Sequence, residues 1–219
     1  MKQKIFFWLD ADVTDFCISY YLQKISDAEF YAIIDITNKP KKFFQEQKLV
    51  QFKKIWFYHD HVKTDKPLDL DHLADIEKRF NLNLWELSLN ERIFYRFNKF
   101  HKFTRDEILS ILDCECTLFK EILYEVKPDF FITNSTNLHH EHLFYIMCKS
   151  SGVKTLLLGR PNLGYRCMIN SSANLERCIM QIAHADWYST RKSRSEPRAT
   201  YCCAAPRACF ASFVPRFIS

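Results

Sequence analysis

The stretch Asp129–Leu158, DFFITNSTNLHHEHLFYIMCKSSGVKTLLL, decides the fold. DFFIT (Asp129–Thr133) and VKTLLL (Val153–Leu158) are apolar runs of strand length, and Leu138–Lys149 between them has helical spacing. Gly152 falls where a helix C-cap needs a residue without a side chain. Two strands that are apolar throughout, joined by a helix, make a parallel crossover buried on both faces.

The pattern repeats upstream. KIFFWL (Lys4–Leu9) predicts a first strand, and Asp12 offers the N-cap of a helix whose face is Phe16, Cys17, Tyr20, Tyr21 and Lys24. Phe30–Ile36 predicts a second strand, a short helix runs from Pro40 to about Val50, and Lys54–Tyr58 predicts a third strand. Leu73, Ile76 and Phe80 share one side of a helix over Leu70–Phe80. NLNLWELSL (Asn81–Leu89) alternates with period two, which predicts an edge strand or an extended crossover. The aromatic and basic run Glu91–Phe100 reads as helix. Thr104-Arg105-Asp106-Glu107 is a capping box opening a long helix that Lys127-Pro128 stops. Residues 1–169 are therefore expected to form an α/β domain, a Rossmann-like parallel sheet with helices on both faces. An irregular basic tail is expected to follow over 170–219.

That tail differs in composition. Of 31 Lys and Arg, 24 lie in residues 1–169 with 23 of the 26 acids, so the net charge of +5 belongs mostly to the tail. Six of the tail's seven basic residues are Arg, and Ala occurs eight times there against four times before it. This shift, with no helical or strand period, reads as the product of a frame break near residue 170 or as a basic coil. A domain so near neutrality gives no electrostatic case for nucleic acid. The chain has only three Gly and no phosphate-binding glycine motif. No apolar run approaches the roughly 20 residues of a membrane span. The N-terminal apolar stretch is cut by Asp10 and lacks a signal peptide's form, so a cytoplasmic protein is expected, with reduced, buried cysteines at Cys17, Cys114, Cys116, Cys148 and Cys167.

Right-handed crossovers bring every strand-to-helix loop to the carboxyl edge of such a sheet, where ligands bind. Four loops qualify. Asp10-Ala11-Asp12 supplies carboxylates. His59-Asp60-His61, read as extended, places both imidazoles on one face, with Asp10 or Asp12 as a partner. Asn134-Ser135-Thr136-Asn137 offers neutral groups suited to sugar hydroxyls or to a helix N-cap. It leads into His139-His140-Glu141-His142. That run lacks HEXXH spacing, and adjacent side chains on a helix diverge by about 100°, so no metal and no cofactor are expected. Gly159 to Gly164 holds Arg160, able to pair a phosphate, with Tyr165 beside it. The expected site has His139, His140 and Glu141 as catalytic residues. Asp12, His59, Asn134, Arg160 and Tyr165 bind substrate. The Phe94–Phe103 stretch, aromatic and basic, packs under the domain or touches a glycan or a membrane face.

The run TRDEILSILDCECTLFKEILYEVKPDFFITNSTNLHHEHLFYIMCKSSGVKTLLLGRPNLGYRCMI (Thr104–Ile169) resembles the amino-terminal half of bacterial and archaeal capsular or surface polysaccharide biosynthesis proteins. The likeness lies in a long helix before KPDFFIT, then HHEHLFY, a strand, and the loop before LGYRCMI. The resemblance implies a glycosyltransferase of two facing Rossmann-like domains, the GT-B arrangement. A nucleotide-sugar donor is then held chiefly by the second domain and a glycan acceptor by the first. It implies that this chain, ending before a second domain, is the acceptor-side half. It also makes Asn134, His139, His140, Glu141, Arg160 and Tyr165 the candidates for cleft lining. The alternative is a non-catalytic α/β module that binds a nucleotide or a partner protein.

Overall fold

Side chains in KIFFWL alternate between two apolar surroundings, and that alternation organises the molecule. A computed structural model describes residues 2–11, 13–64, 67–96, 101–134, 136, 138–159 and 168–171. Its elements, in order, are β1 (Lys4–Leu9), α1 (Thr14–Ile25), β2 (Glu29–Ile34), α2 (Asn38–Glu46), β3 (Phe52–Phe57) and α3 (Tyr58–His61). There follow α4 (Leu70–Phe80), α5 (Leu84–Leu89), α6 (Arg92–Tyr95), α7 (Arg105–Val126), β4 (Phe130–Asn134), α8 (His139–Ser150), β5 (Lys154–Gly159) and β6 (Met168–Asn170).

The strands form one six-stranded sheet in the order β3-β2-β1-β4-β5-β6. β1 to β5 are mutually parallel, and β6 runs antiparallel to β5. The sheet is therefore mostly rather than wholly parallel. The chain winds outward from β1 to β3 and then restarts on the other side of β1 with β4, so order reverses between β1 and β4.

Phe6 and Trp8 of β1 join Ile33, Trp56, Phe131 and Leu157 in one core, covered by α4 and α5 and by α7 and α8. Ile5, Phe7 and Leu9 join Ala32, Ile34, Ile132 and Leu158 in a second core on the opposite face, covered by Phe16, Ile18 and Leu22 of α1 and Phe44 of α2. Helices thus cover both faces, as expected for a strand set apolar throughout.

Helix boundaries follow local chemistry. α7 begins at the anticipated capping box, in which Thr104 Oγ1 accepts the Glu107 N–H and the Glu107 carboxylate accepts the Thr104 N–H. It ends at Lys127, whose φ of 51° is left-handed. Gly152 after α8 has φ of 80°, the conformation that glycine adopts freely.

The Asn81–Leu89 region corrects the period-two reading. Asn83 Oδ1 accepts the Glu86 N–H and caps α5, while Leu84 and Ser88, four apart, are buried. The alternation of leucines there coincides with a short helical face. His59-Asp60-His61 is likewise not extended; it forms α3, so His59 and His61 do not share a face as strand neighbours would. The helix predicted over Glu91–Phe100 is described only as the short α6, with residues 97–100 outside the described set. Cys114, Cys116 and Cys148 are buried free thiols, and burial pushes the Cys116 and Cys148 thiols up, Cys116 also feeling the Glu115 charge. The expected tail, from residue 172 on, lies outside the described residues, as does Cys167. Among the described residues no helix is long and apolar enough to cross a membrane.

Candidate functional site

Strand order reverses between β1 and β4, and the carboxyl ends of the strands beside such a reversal are the usual ligand position in an open α/β sheet. Five elements bring ionisable side chains to this edge. Asp35 follows β2 directly, His59 sits in α3 directly after β3, and His139 and His140 open α8 after β4. Glu115 reaches them from the middle of α7, and Glu91 from the N-cap of α6.

Asp35 joins two histidines. Its Oδ2 lies 2.8 Å from His140 Nε2 and its Oδ1 2.9 Å from His59 Nε2. Burial raises the Asp35 carboxyl, but the hydrogen bonds from His140 and His59 outweigh it and hold it well below the usual carboxylate range. The two histidines differ in access: the His140 side chain is 4% exposed and that of His59 is 45% exposed. The His140 ring stacks on Tyr58, centroids 4.6 Å apart and planes 22° apart, and packs against Trp8 at 5.5 Å. Its Nδ1 is buried and meets no hydrogen-bond partner among the described residues.

His139 sits between two glutamates. Its Nδ1 is 2.7 Å from Glu91 Oε2, its Nε2 is 2.9 Å from Glu115 Oε1, and its backbone N–H also donates to Glu91. Burial pulls the imidazole toward neutrality, yet the Glu115 charge and the bonds to both glutamates raise its pKa to about 10. It is therefore an imidazolium at neutral pH. Burial raises Glu91 too, but the bond from the His139 ring and two backbone N–H groups bring it down to about 2. The Tyr58 hydroxyl donates to Glu115 Oε1, and its own ionisation is pushed up by burial and by that carboxylate. Glu115 Oε2 is buried without a hydrogen-bond partner among the described residues. One donor atom from each of Glu115, His139 and His140 lies within 4.8 Å of the others.

The expected residues divide as follows. His59 and His140 meet at Asp35, and the His139 and His140 ring centroids are 5.0 Å apart. Glu141 is buried, and its carboxylate accepts the Leu138 N–H in the first turn of α8, a capping position. Asn134 ends β4, half-buried and paired in register with Leu158. Asp12, Arg160 and Tyr165 lie outside the described residues. α3 brings the His59 imidazole to Asp35 at the end of β2, and the expected partner Asp12 lies outside the described residues.

Asp35, Glu91, Glu115 and Tyr58 were not anticipated. Glu115 carried a signal, since it falls in register with Ile111, Phe119 and Ile122 on an apolar helical stripe, where an acid must find a partner. Asp35 was absorbed into the predicted strand and Glu91 into the predicted helix. Beside the cluster a cleft of about 510 Å³ runs between α5 and α8, with Glu91 and His139 in its wall.

No known protein-family profile matches the chain, and no curated protein sequence is significantly similar to it.

Proposed function

We propose that this chain is the acceptor-side domain of a glycosyltransferase of surface or capsular polysaccharide biosynthesis, with His59 as general base. The observation that carries the reading is the His59–Asp35–His140 chain at the carboxyl edge of the sheet. A transferase of the inverting kind must take a proton from an acceptor hydroxyl as its oxygen bonds to the sugar's anomeric carbon, while the nucleoside diphosphate leaves with the electrons of the broken bond. The base must touch that hydroxyl. His59 is the accessible histidine, and Asp35 fixes its ring through Nε2, leaving Nδ1 for the proton. Asp35 and His140 are positioning residues: the anionic Asp35 stabilises the imidazolium that forms on His59, and the stacked, buried His140 fixes Asp35. This reading moves the base from the buried His139–His140 pair to the histidine that solvent and substrate can reach. The resemblance of Thr104–Ile169 to polysaccharide biosynthesis proteins supplies the substrate class.

The test incubates the full-length chain, together with a donor-binding Rossmann-like domain, with a panel of nucleotide sugars and short surface-glycan acceptors and follows nucleoside diphosphate release. Turnover with at least one pairing is expected, and Asp35→Asn is expected to lower it and displace the acid limb of its pH profile. Acceptor or nucleotide binding without turnover in any pairing, or an Asp35→Asn pH profile identical to wild type, favours the non-catalytic binding module.

A further inference from the structure

The second cluster, around His139, shares only His140 with the base chain and has the composition of a metal centre. Each histidine has one ring nitrogen on a carboxylate outside the proposed ligand set, His139 Nδ1 on Glu91 and His140 Nε2 on Asp35, while His139 Nε2 faces Glu115 itself. This is the arrangement by which metal-binding histidines are oriented from behind, the carboxylate fixing the tautomer and leaving the other nitrogen to the ion. The remaining atoms are His139 Nε2, His140 Nδ1 and the Glu115 carboxylate. Two of them, His140 Nδ1 and Glu115 Oε2, are buried without a hydrogen-bond partner among the described residues. A buried polar atom left unpaired is costly, and one potential ligand atom from each of the three side chains lies within 4.8 Å of the others. The side chains of His139 and Glu115 are 4% and 0% exposed.

We propose that Glu115, His139 and His140 bind one divalent first-row transition cation, zinc being the ion their donors suit best. Two imidazoles and a carboxylate are a set that holds zinc and leaves one position open. Donors on a tetrahedral zinc lie roughly 3.3 Å apart, given bonds of about 2.0–2.1 Å. The His139 Nε2 to Glu115 Oε1 separation of 2.9 Å is already near that value. Tyr58 holds the Glu115 carboxylate in place, and the cleft beside α5, where Glu91 and His139 form part of the wall, gives an entry path. The ion replaces the proton that His139 otherwise shares with the glutamates. Through His140 it fixes Asp35, and so the chain to His59, but the binding itself does not depend on sugar transfer.

The test strips the full-length chain with a chelator, adds Zn²⁺ under reducing conditions and counts the metal retained after desalting. The chain's nine cysteines offer zinc other places, so the decisive reading is the difference between wild type and Glu115→Gln. Wild type is expected to retain one more Zn²⁺ per chain, and zinc-edge X-ray absorption of wild type to include a nitrogen and oxygen shell with two imidazoles. Glu91→Gln, which leaves all three donors in place, is expected to weaken that binding about 10–100-fold. If Glu115→Gln does not fold, the absorption spectrum and the Glu91→Gln titration decide. Equal zinc in wild type and Glu115→Gln, a shell of sulfur alone, or Glu91→Gln titrating as wild type overturns the proposal.

Discussion

On the face covered by α1 and α2 the sheet presents Ile5, Phe7, Leu9, Ala32, Ile34 and Ile132, packed against Phe16, Leu22 and Phe44. On the opposite face Phe6, Trp8, Trp56 and Phe131 lie beneath helices that also bring in Glu91, Asp113, Glu115, His139 and His140, all buried. The same strands build both faces, so the strands do not account for the difference. It comes from the connections: among the described residues one helix each joins β1 to β2 and β2 to β3, whereas five helices separate β3 from β4. That long excursion returns α7 across the sheet and carries Glu91 and Glu115 to the start of α8. A face assembled from several helices can bury charge, because partners for each ion come from different elements.

Matched truncations break the comparison most sharply. Phe7→Ala removes a fully buried ring and is expected to cost about 3–5 kcal/mol in urea unfolding, equally at pH 6 and pH 9. His139→Ala leaves Glu91 and Glu115 facing each other without a cation and is expected to cost about 3–5 kcal/mol near pH 6. At pH 9 its cost is smaller. Equal costs for His139→Ala at both values would mean that no proton is held there.

Wild-type stability in the presence of chelator sharpens the same point. The folded pKa of His139, about 10, lies above its ordinary 6.5, so the folded state binds the extra proton between those values. Its contribution is complete below pH 6.5 and is lost as pH rises toward 10, on the order of a few kcal/mol. Glu91 acts in the opposite direction. Its pKa is depressed from 4.5 to about 2, so its contribution is present above pH 4.5 and fades as pH falls toward 2. Urea midpoints measured from pH 3 to pH 10 should trace a plateau between about pH 4.5 and 6.5 with a decline on each side. His139→Ala should flatten the alkaline decline.

A smaller effect belongs to the excursion itself. Thr104→Ala removes the side-chain acceptor at the head of α7 and is expected to cost about 1 kcal/mol by the same unfolding measurement.

Much of this was legible in the residues. KIFFWL, DFFIT and VKTLLL announce buried strands because parallel strands are apolar on both sides, and the Thr104 capping box marks the start of α7 because its chemistry is local. The carboxyl edge of the sheet followed from topology, and with it His59 and His140, but the position of the reversal between β1 and β4 did not. The failures have a common cause. Leu84 and Ser88 form a helical face within a sequence that also alternates, and only packing against α8 chooses between the two. Glu91, Glu115 and Asp35 come from three elements far apart in sequence, so no spacing announces that they meet. Asp35 as a partner of His59 was hidden for the same reason: α3 turns where an extended segment was expected.

The smallest expected effect on stability accompanies the most direct test of function. His59 is half-exposed, so His59→Ala should change the unfolding free energy by less than about 1 kcal/mol. Turnover of nucleotide sugar by the same variant, assayed together with the donor-binding domain, should fall by about 10²–10⁴, the usual worth of a general base. Measured on one preparation, retained stability with lost sugar transfer is the predicted result. Sugar transfer by His59→Ala at the wild-type rate would contradict the assignment of the base and the site built around it.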